Sequence, residues 1–171
     1  MTISLRPYLP ADAPALADLF RASVEDLAEE DYSADQRAAW AGAADDARAF
    51  GQRLASQLTL VALSDGAIAG FASVKEPDQI DMLYVHPRFA RRRVATTLCD
   101  ALEKLAAARG AAALAVDASD TARPLFEARG YVAEKRNTIV LDDQWLGNTT
   151  MRKPLAANDP KTKAPPPRIV R

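Results

Sequence analysis

Cysteine and histidine are nearly missing: the 171 residues contain one of each, Cys99 and His86. A single cysteine excludes an internal disulfide, and the pair cannot furnish the usual four-ligand zinc set. Charge of neither sign is in excess, with 22 Lys and Arg against 23 Asp and Glu. That balance suggests neither an acidic disordered chain nor a general polyanion binder, so any charge-based function must be local. No apolar run is long enough to cross a bilayer, and the start "MTISLRPYLPADAPAL" lacks the basic prelude and apolar stretch of a secretory signal. No internal repeat is present. These absences predict a soluble, cytoplasmic, metal-independent protein, long enough for one domain with a sizeable core and too short for two. Glycine is absent between Gly70 and Gly110. Neither a Walker loop nor a dinucleotide fingerprint fits that stretch, which argues against ATP and NAD.

What is present is a regular succession of strand and helix patterns. "TISLRPY" alternates apolar and polar residues as a half-buried strand does, and ends at a proline turn. Asp12 is placed to cap a helix with Pro14 in its first turn, whose Leu16, Leu19, Phe20, Val24 and Leu27 recur at helical spacing. Ser33 and Gln36 form a capping-box pattern that opens a second helix carrying Trp40, and Phe50 with Leu54 marks a short third. "LTLVALSDGAIAGFASV" is a hairpin turning at "SDG", and "QIDMLYVHP" is a further strand. From Val94 a helix runs to Gly110, "AAALAV" is a strand buried on both faces, and "TARPLFEARGY" is a short helix for which Thr121 is the expected cap. Two closing strands are expected over about 132–141 and 149–153. From Ala156 the chain is proline-rich and basic, so residues 1–155 are read as the domain and 156–171 as a flexible tail.

"LYVHPRFARRRVATTL", residues 83 to 98, poses the functional question. A strand leading directly into a helix leaves the first amide N–H groups unpaired at the positive end of the dipole, so an anion belongs there. Arg91, Arg92 and Arg93 agree with this, because guanidinium binds phosphate through paired planar hydrogen bonds. The alternative is that they only solubilise the helix start, where cations are otherwise disfavoured.

The strand, "VHP", the basic helix start and then "SDTARPLFEARGY" resemble the acetyl-CoA-binding core of the GNAT N-acetyltransferase superfamily, over about residues 2 to 153. The family's Q/R-x-x-G-x-G/A pattern falls on Ala90 to Ala95, with Ala90 in place of Gln or Arg and Arg93 in place of glycine. Its N-x-x-A-x-x-L-Y-x-x-x-G-F pattern falls on Ser119, Ala122, Leu125, Phe126, Gly130 and Tyr131 with all spacings kept. "NTTMRKPL", "DYS" and "Q..AW" also occur in one subgroup. The resemblance implies an α/β single-domain fold with a mixed, mostly antiparallel sheet flanked by helices. It also implies acetyl-CoA as donor, with its pyrophosphate over the amides of Arg91, Arg92, Arg93, Val94, Ala95 and Thr96. Its pantetheine arm would run along Leu83, Tyr84 and Val85, with Ser119 and Phe126 at the second motif.

Acetylating an amine requires removing a proton, since a free alkyl ammonium has a pKa near ~10. By period-two alternation Asp81 shares a face with Leu83 and Val85, which makes it the first candidate for general base and Glu76 the reserve. The competing reading makes Asp81 a strand-edge carboxylate paired with an arginine. Phe126 stands where the family often has a proton-donating tyrosine, and Tyr84 and Tyr131 are the possible substitutes. Ser119 either binds the cofactor or caps the following helix. His86 reads as a strand-ending residue and Cys99 as inert packing. Tyr32, Trp40 and Trp145 are candidates to line the acceptor cleft, although either tryptophan is equally suited to the core. The acidic run before Tyr32 either attracts a cationic amine or is a solvated helix end.

The expected function is acetyl transfer to a primary amine of a small molecule or peptide, with no nucleic-acid or membrane partner and with a homodimer left open. Two rivals are a CoA-binding regulatory module without catalysis, suggested by Phe126, and a nucleic-acid binder acting through "RFARRR" and the tail. Near-zero net charge and the lack of a reader motif weigh against the second.

Overall fold

A computed structural model describes residues 2–155; the expected tail at 156–171 lies outside the described residues. The alternating front stretch is β1 (Ile3–Pro7), followed by α1 (Ala13–Leu27), α2 (Ala34–Ala41) and α3 (Ala47–Ala55). Ser33 and Gln36 form the reciprocal cap expected for α2, with bonds of 3.2 and 2.8 Å. Asp12 behaves otherwise. Its carboxylate turns back to the Arg6 guanidinium, at 2.7 and 2.9 Å, and to the Leu9 amide, so it leaves α1 without a side-chain cap.

β2 (Leu58–Ser64) and β3 (Ala67–Lys75) form the expected hairpin, with Asp65 and Gly66 both at positive φ as a two-residue primed turn demands. Then come β4 (Gln79–Val85), α4 (Val94–Ala108), β5 (Ala113–Ser119), α5 (Arg123–Ala128), β6 (Val132–Leu141) and β7 (Gln144–Pro154). Two strands exceed their expected bounds. β5 continues through Asp117 to Ser119, and β7 begins at Gln144 because Asp142 and Asp143, at φ 43 and 63, close a tight hairpin without glycine. Aspartate tolerates that region better than most residues, which is why the turn carries no glycine signal.

The seven strands lie in the order β1-β2-β3-β4-β5-β7-β6. Every neighbouring pair is antiparallel except β4 and β5. The sheet is therefore mixed and mostly antiparallel, as expected. One face packs on α1, α2 and α3 around Leu16, Phe20, Phe50, Phe71 and Met82. The other packs on α4 and α5 around Leu98, Leu102, Leu114, Phe126 and Met151. Gly70 lets α4 approach closely, since a Cβ there would stand 2.9 Å from the Tyr84 carbonyl oxygen and 3.0 Å from a Val94 methyl.

The feature that positions the site is a break in this sheet. β4 and β5 pair only at Gln79–Ala115 and Ile80–Val116. At the next residue β4 carries a bulge: Val74 faces Ile80 and Ser73 faces Met82, leaving Asp81 as the extra residue. A bulge bends its strand and interrupts pairing. Beyond it the two parallel strands diverge and a slot opens between them.

Candidate active site

Two concavities flank the slot. One, a groove of about 650 Å³, is bounded by Leu83 to Val85, the segment from Phe89 to Thr96, the end of α1 and the β5–α5 turn. The other, a cavity of about 290 Å³, is bounded by β4, β5, the β6–β7 hairpin and the early helices. Trp40, Leu83, Tyr84, Ser119 and Ala122 line both, so the two spaces meet there.

The groove is built to receive an anion. The main-chain N–H groups of Arg91 to Thr96 donate to no protein acceptor among the described residues, and the first α4 amide that does is Thr97, to Arg93 at 3.0 Å. Six free donors therefore face the positive end of a fifteen-residue helix. To open those amides the chain takes left-handed conformations at Arg91 (φ 59) and Arg93 (φ 66), which side-chain-bearing residues avoid. Among the described residues Arg91, Arg92 and Arg93 form no ion pair with a protein carboxylate, so their charge is uncompensated. On the β5 side, β4 has no strand partner after Ile80, which leaves an unpaired edge from Met82 to Val85 along the groove. Free amides at one end and an open strand edge at the other fit a phosphorylated, amide-bearing carrier such as CoA.

Of the residues expected to hold the carrier, Leu83, Tyr84, Val85, Arg91, Arg93, Val94, Ala95, Thr96 and Ser119 line this groove. Arg92 and Phe126 do not; Phe126 is 1% exposed, packs edge-on to Tyr131 at 5.0 Å and reaches only the neighbouring cavity. The Ser119 hydroxyl accepts from the Ala122 amide at 3.1 Å, so it caps the turn into α5. Thr121, the expected cap, instead donates to Asp31 at 2.8 Å.

In the cavity the sequence expectation for Asp81 needs correction. The bulge breaks the period-two parity: Leu83 and Val85 pack toward α4, while Asp81 joins Arg53 of α3 on the other face. Arg53 Nε and Nη2 donate to its two oxygens at 2.8 and 2.9 Å, and Gln57 Nε2 adds a third bond at 2.8 Å. Burial pushes this carboxyl up, but the bonds from Arg53 and Gln57 outweigh it and hold the pKa below the ordinary value. A carboxylate so stabilised is a weak proton acceptor. Glu76, the reserve, lies on the β3–β4 turn with 84% of its side chain exposed and reaches neither space.

Tyr32 lies in the cavity wall with its hydroxyl fully used, donating to the Gly147 carbonyl at 2.6 Å and accepting from the Asp120 amide at 2.9 Å. It ties the α1–α2 linker to β7 and to the β5–α5 turn. Trp40 packs edge-on against Tyr32 and Tyr84 at 5.3 and 6.3 Å and borders both spaces. Trp145 is 70% exposed and borders neither, because its position on β7 turns it away from the cavity. Burial pushes the Tyr84 phenol up to about 12. Tyr131 is buried with its hydroxyl on Glu103 at 3.1 Å, and burial raises its pKa further, so it is no substitute acid. His86 accepts from the Arg88 amide as a strand-ending residue, and Cys99 is buried, its thiol pushed up to about 12 by burial.

Sequence reasoning missed Arg53 and Asp117. Asp117 faces the cavity from β5, opposite Asp81 and one step past the last paired residues. The sole signal was a lone carboxylate directly after the apolar run "AAALAV".

Comparison with known proteins agrees with this geometry. Residues 28–155 match the family described as "Acetyltransferase (GNAT) domain". An uncharacterized N-acetyltransferase of Escherichia coli K12, YafP, is 36% identical over 150 residues, covering 88% of this chain and 95% of that protein. A crystal structure from Rhodopseudomonas palustris, described as a GCN5-related N-acetyltransferase and as a class-II aminotransferase, superposes with TM-score 0.89 at 58% identity, covering 91% of this chain and 97% of that one. The fold is shared at 17% identity by PaiA N-acetyltransferase of Thermoplasma acidophilum, solved with coenzyme A, with TM-score 0.75 and coverage of 90% and 99%. With the split sheet, the free amides ahead of α4 and the open β4 edge, these matches make the chain a member of the GNAT family, an N-acetyltransferase that uses acetyl-CoA.

Proposed function

We propose that the protein transfers the acetyl group of acetyl-CoA directly to a primary amine of a small molecule or peptide that enters the 290 Å³ cavity. The observation that carries this reading is that groove and cavity share Leu83, Tyr84 and Ser119 in their walls, so a donor in one and an acceptor in the other meet there. Acetyl-CoA supplies an activated thioester. The protein supplies position: the amides of Arg91 to Thr96, with the Arg91 side chain, for the diphosphate, and the unpaired edge of β4 for the amide-bearing arm. Trp40, Leu141 and Leu146 line the approach of the amine, which gives its ammonium proton to solvent; as its nitrogen bonds to the acetyl carbonyl and the C–S bond breaks, the second N–H proton ends on the departing CoA sulfur. Asp81 is assigned to fixing the shape of the slot with Arg53 and Gln57 rather than to holding that proton. The one buried cysteine fits a cytoplasmic setting.

Calorimetric titration with acetyl-CoA, followed by thiol release in the presence of amines, tests the proposal. Heat on binding and amine-dependent release are expected; no heat with acetyl-CoA would overturn it. Phe126, which offers no acidic proton, favours a second reading as a regulatory CoA-binding module. Tight CoA binding with silence across a broad amine panel selects that reading.

A further inference from the structure

The acceptor cavity carries a charge imbalance that narrows its substrate. Among the described residues its only charged lining side chains are Arg53, Asp81 and Asp117. Arg53 and Asp81 neutralise each other through two bonds of 2.8 and 2.9 Å. Among the described residues Asp117 has no cation within ion-pair distance. One of its oxygens accepts from the Thr150 hydroxyl at 2.6 Å, while the other has only the Gln79 amide at 3.5 Å. The cavity thus carries one net negative charge, on a carboxylate whose second oxygen is loosely held. The surrounding wall is apolar and aromatic: Trp40, Ile139, Leu141 and Leu146. Asp117 lies two residues before Ser119 on β5, about 6–7 Å back from the meeting point of the two spaces.

Resting on the proposed acetyl transfer, we propose that the acceptor is a cationic primary amine on an apolar, carboxylate-free body, and that Asp117 is the specificity-determining residue that recognises its charge. The aromatic faces add attraction for a cation. A carboxylate beside the amine would stand near Asp117 and be repelled, an effect moderated by solvent because Asp117 is exposed at the cavity rim. The opposing possibility is a zwitterionic acceptor seated on Arg53, whose Nη1 is not used by Asp81.

The experiment uses the full chain saturated with CoA and two probes differing by one carboxylate, 2-phenylethylamine and phenylalanine, titrated calorimetrically. We expect 2-phenylethylamine to bind about fivefold tighter, and Asp117→Asn to erase roughly that factor while acetyl-CoA affinity stays unchanged. Unchanged acetyl-CoA affinity also shows that the variant is folded. Asp117→Glu keeps the charge and should keep the preference. In thiol release, Asp117→Asn should raise KM for the amine more than it lowers kcat. Phenylalanine binding equally well, an undiminished preference in Asp117→Asn, or no amine binding by a protein that takes up acetyl-CoA normally would overturn the inference. Failure to bind acetyl-CoA at all would instead overturn the acetyltransferase reading itself.

Discussion

Replacing Arg93 with glycine should stabilise the protein, although arginine is ordinarily the better residue beside a helix. Arg93 precedes α4 with φ 66 and ψ 14. For a residue bearing a Cβ that conformation costs about 1–2 kcal/mol, and glycine adopts it freely. Against this, glycine loosens the unfolded chain by about 0.4–1 kcal/mol. The balance favours Arg93→Gly by roughly 0.5–1 kcal/mol, or about 1–4 °C in Tm for a chain of this size. Arg92 supplies the control, since it is the one member of the triplet without positive φ. Arg92→Gly gains no relief and should lower Tm. The assay is thermal unfolding without ligand, with CoA affinity measured in parallel. Retained or improved CoA binding in Arg93→Gly is expected, because peptide N–H groups form the cradle. A Tm that falls as far as in Arg92→Gly would refute the strain account. An affinity loss of about 10- to 100-fold, the equivalent of one charge-assisted hydrogen bond, would show that the guanidinium itself grips phosphate.

Tyr32→Phe removes a phenol that serves Gly147 and Asp120 at once, taking that partner from a half-buried carbonyl and a half-buried amide. A loss of about 1–3 kcal/mol, seen as a fall of roughly 3–10 °C in Tm, is expected, and an unchanged Tm would mean that water replaces the hydroxyl without cost. Asp81→Asn strands the partly solvated Arg53 and should cost about 1–2 kcal/mol near neutral pH. Because the folded-state pKa of Asp81 lies below its ordinary 3.8, its contribution is complete above that value and disappears as pH falls through the folded pKa. The urea-midpoint gap between wild type and Asp81→Asn should therefore stay level from about pH 8 to 5 and close below about pH 4, and a gap that narrows already between pH 7 and 5 would contradict the ion-pair account.

Most of the fold was legible because the signals were local and periodic: the Ser33–Gln36 cap, the "SDG" turn, the apolar face of α4. The two motifs that resemble the family lay on the correct segments for the same reason. What escaped were features decided by pairing between distant strands. Nothing in "QIDMLYV" marks a bulge, since no glycine or proline accompanies it, yet that extra residue moves Asp81 to the opposite face from Leu83. Arg53 and Asp81 are 28 residues apart, and only the packing of α3 against the sheet brings them together. The turn at Asp142 and Asp143 was hidden because two aspartates occupy conformations normally signalled by glycine. Trp145 was misplaced as a consequence, for its facing follows from the register of that hairpin with Val140.

The slot between β4 and β5 also bears on how such a molecule diverges. On its donor side it offers peptide groups, which every residue carries whatever its side chain. On its acceptor side it offers a handful of side chains drawn from four remote stretches, around Trp40, Arg53, Asp117 and Leu146. On the acetyl-transfer reading proposed above, point mutations there would redirect what is acetylated while the source of the acetyl group stays as it was.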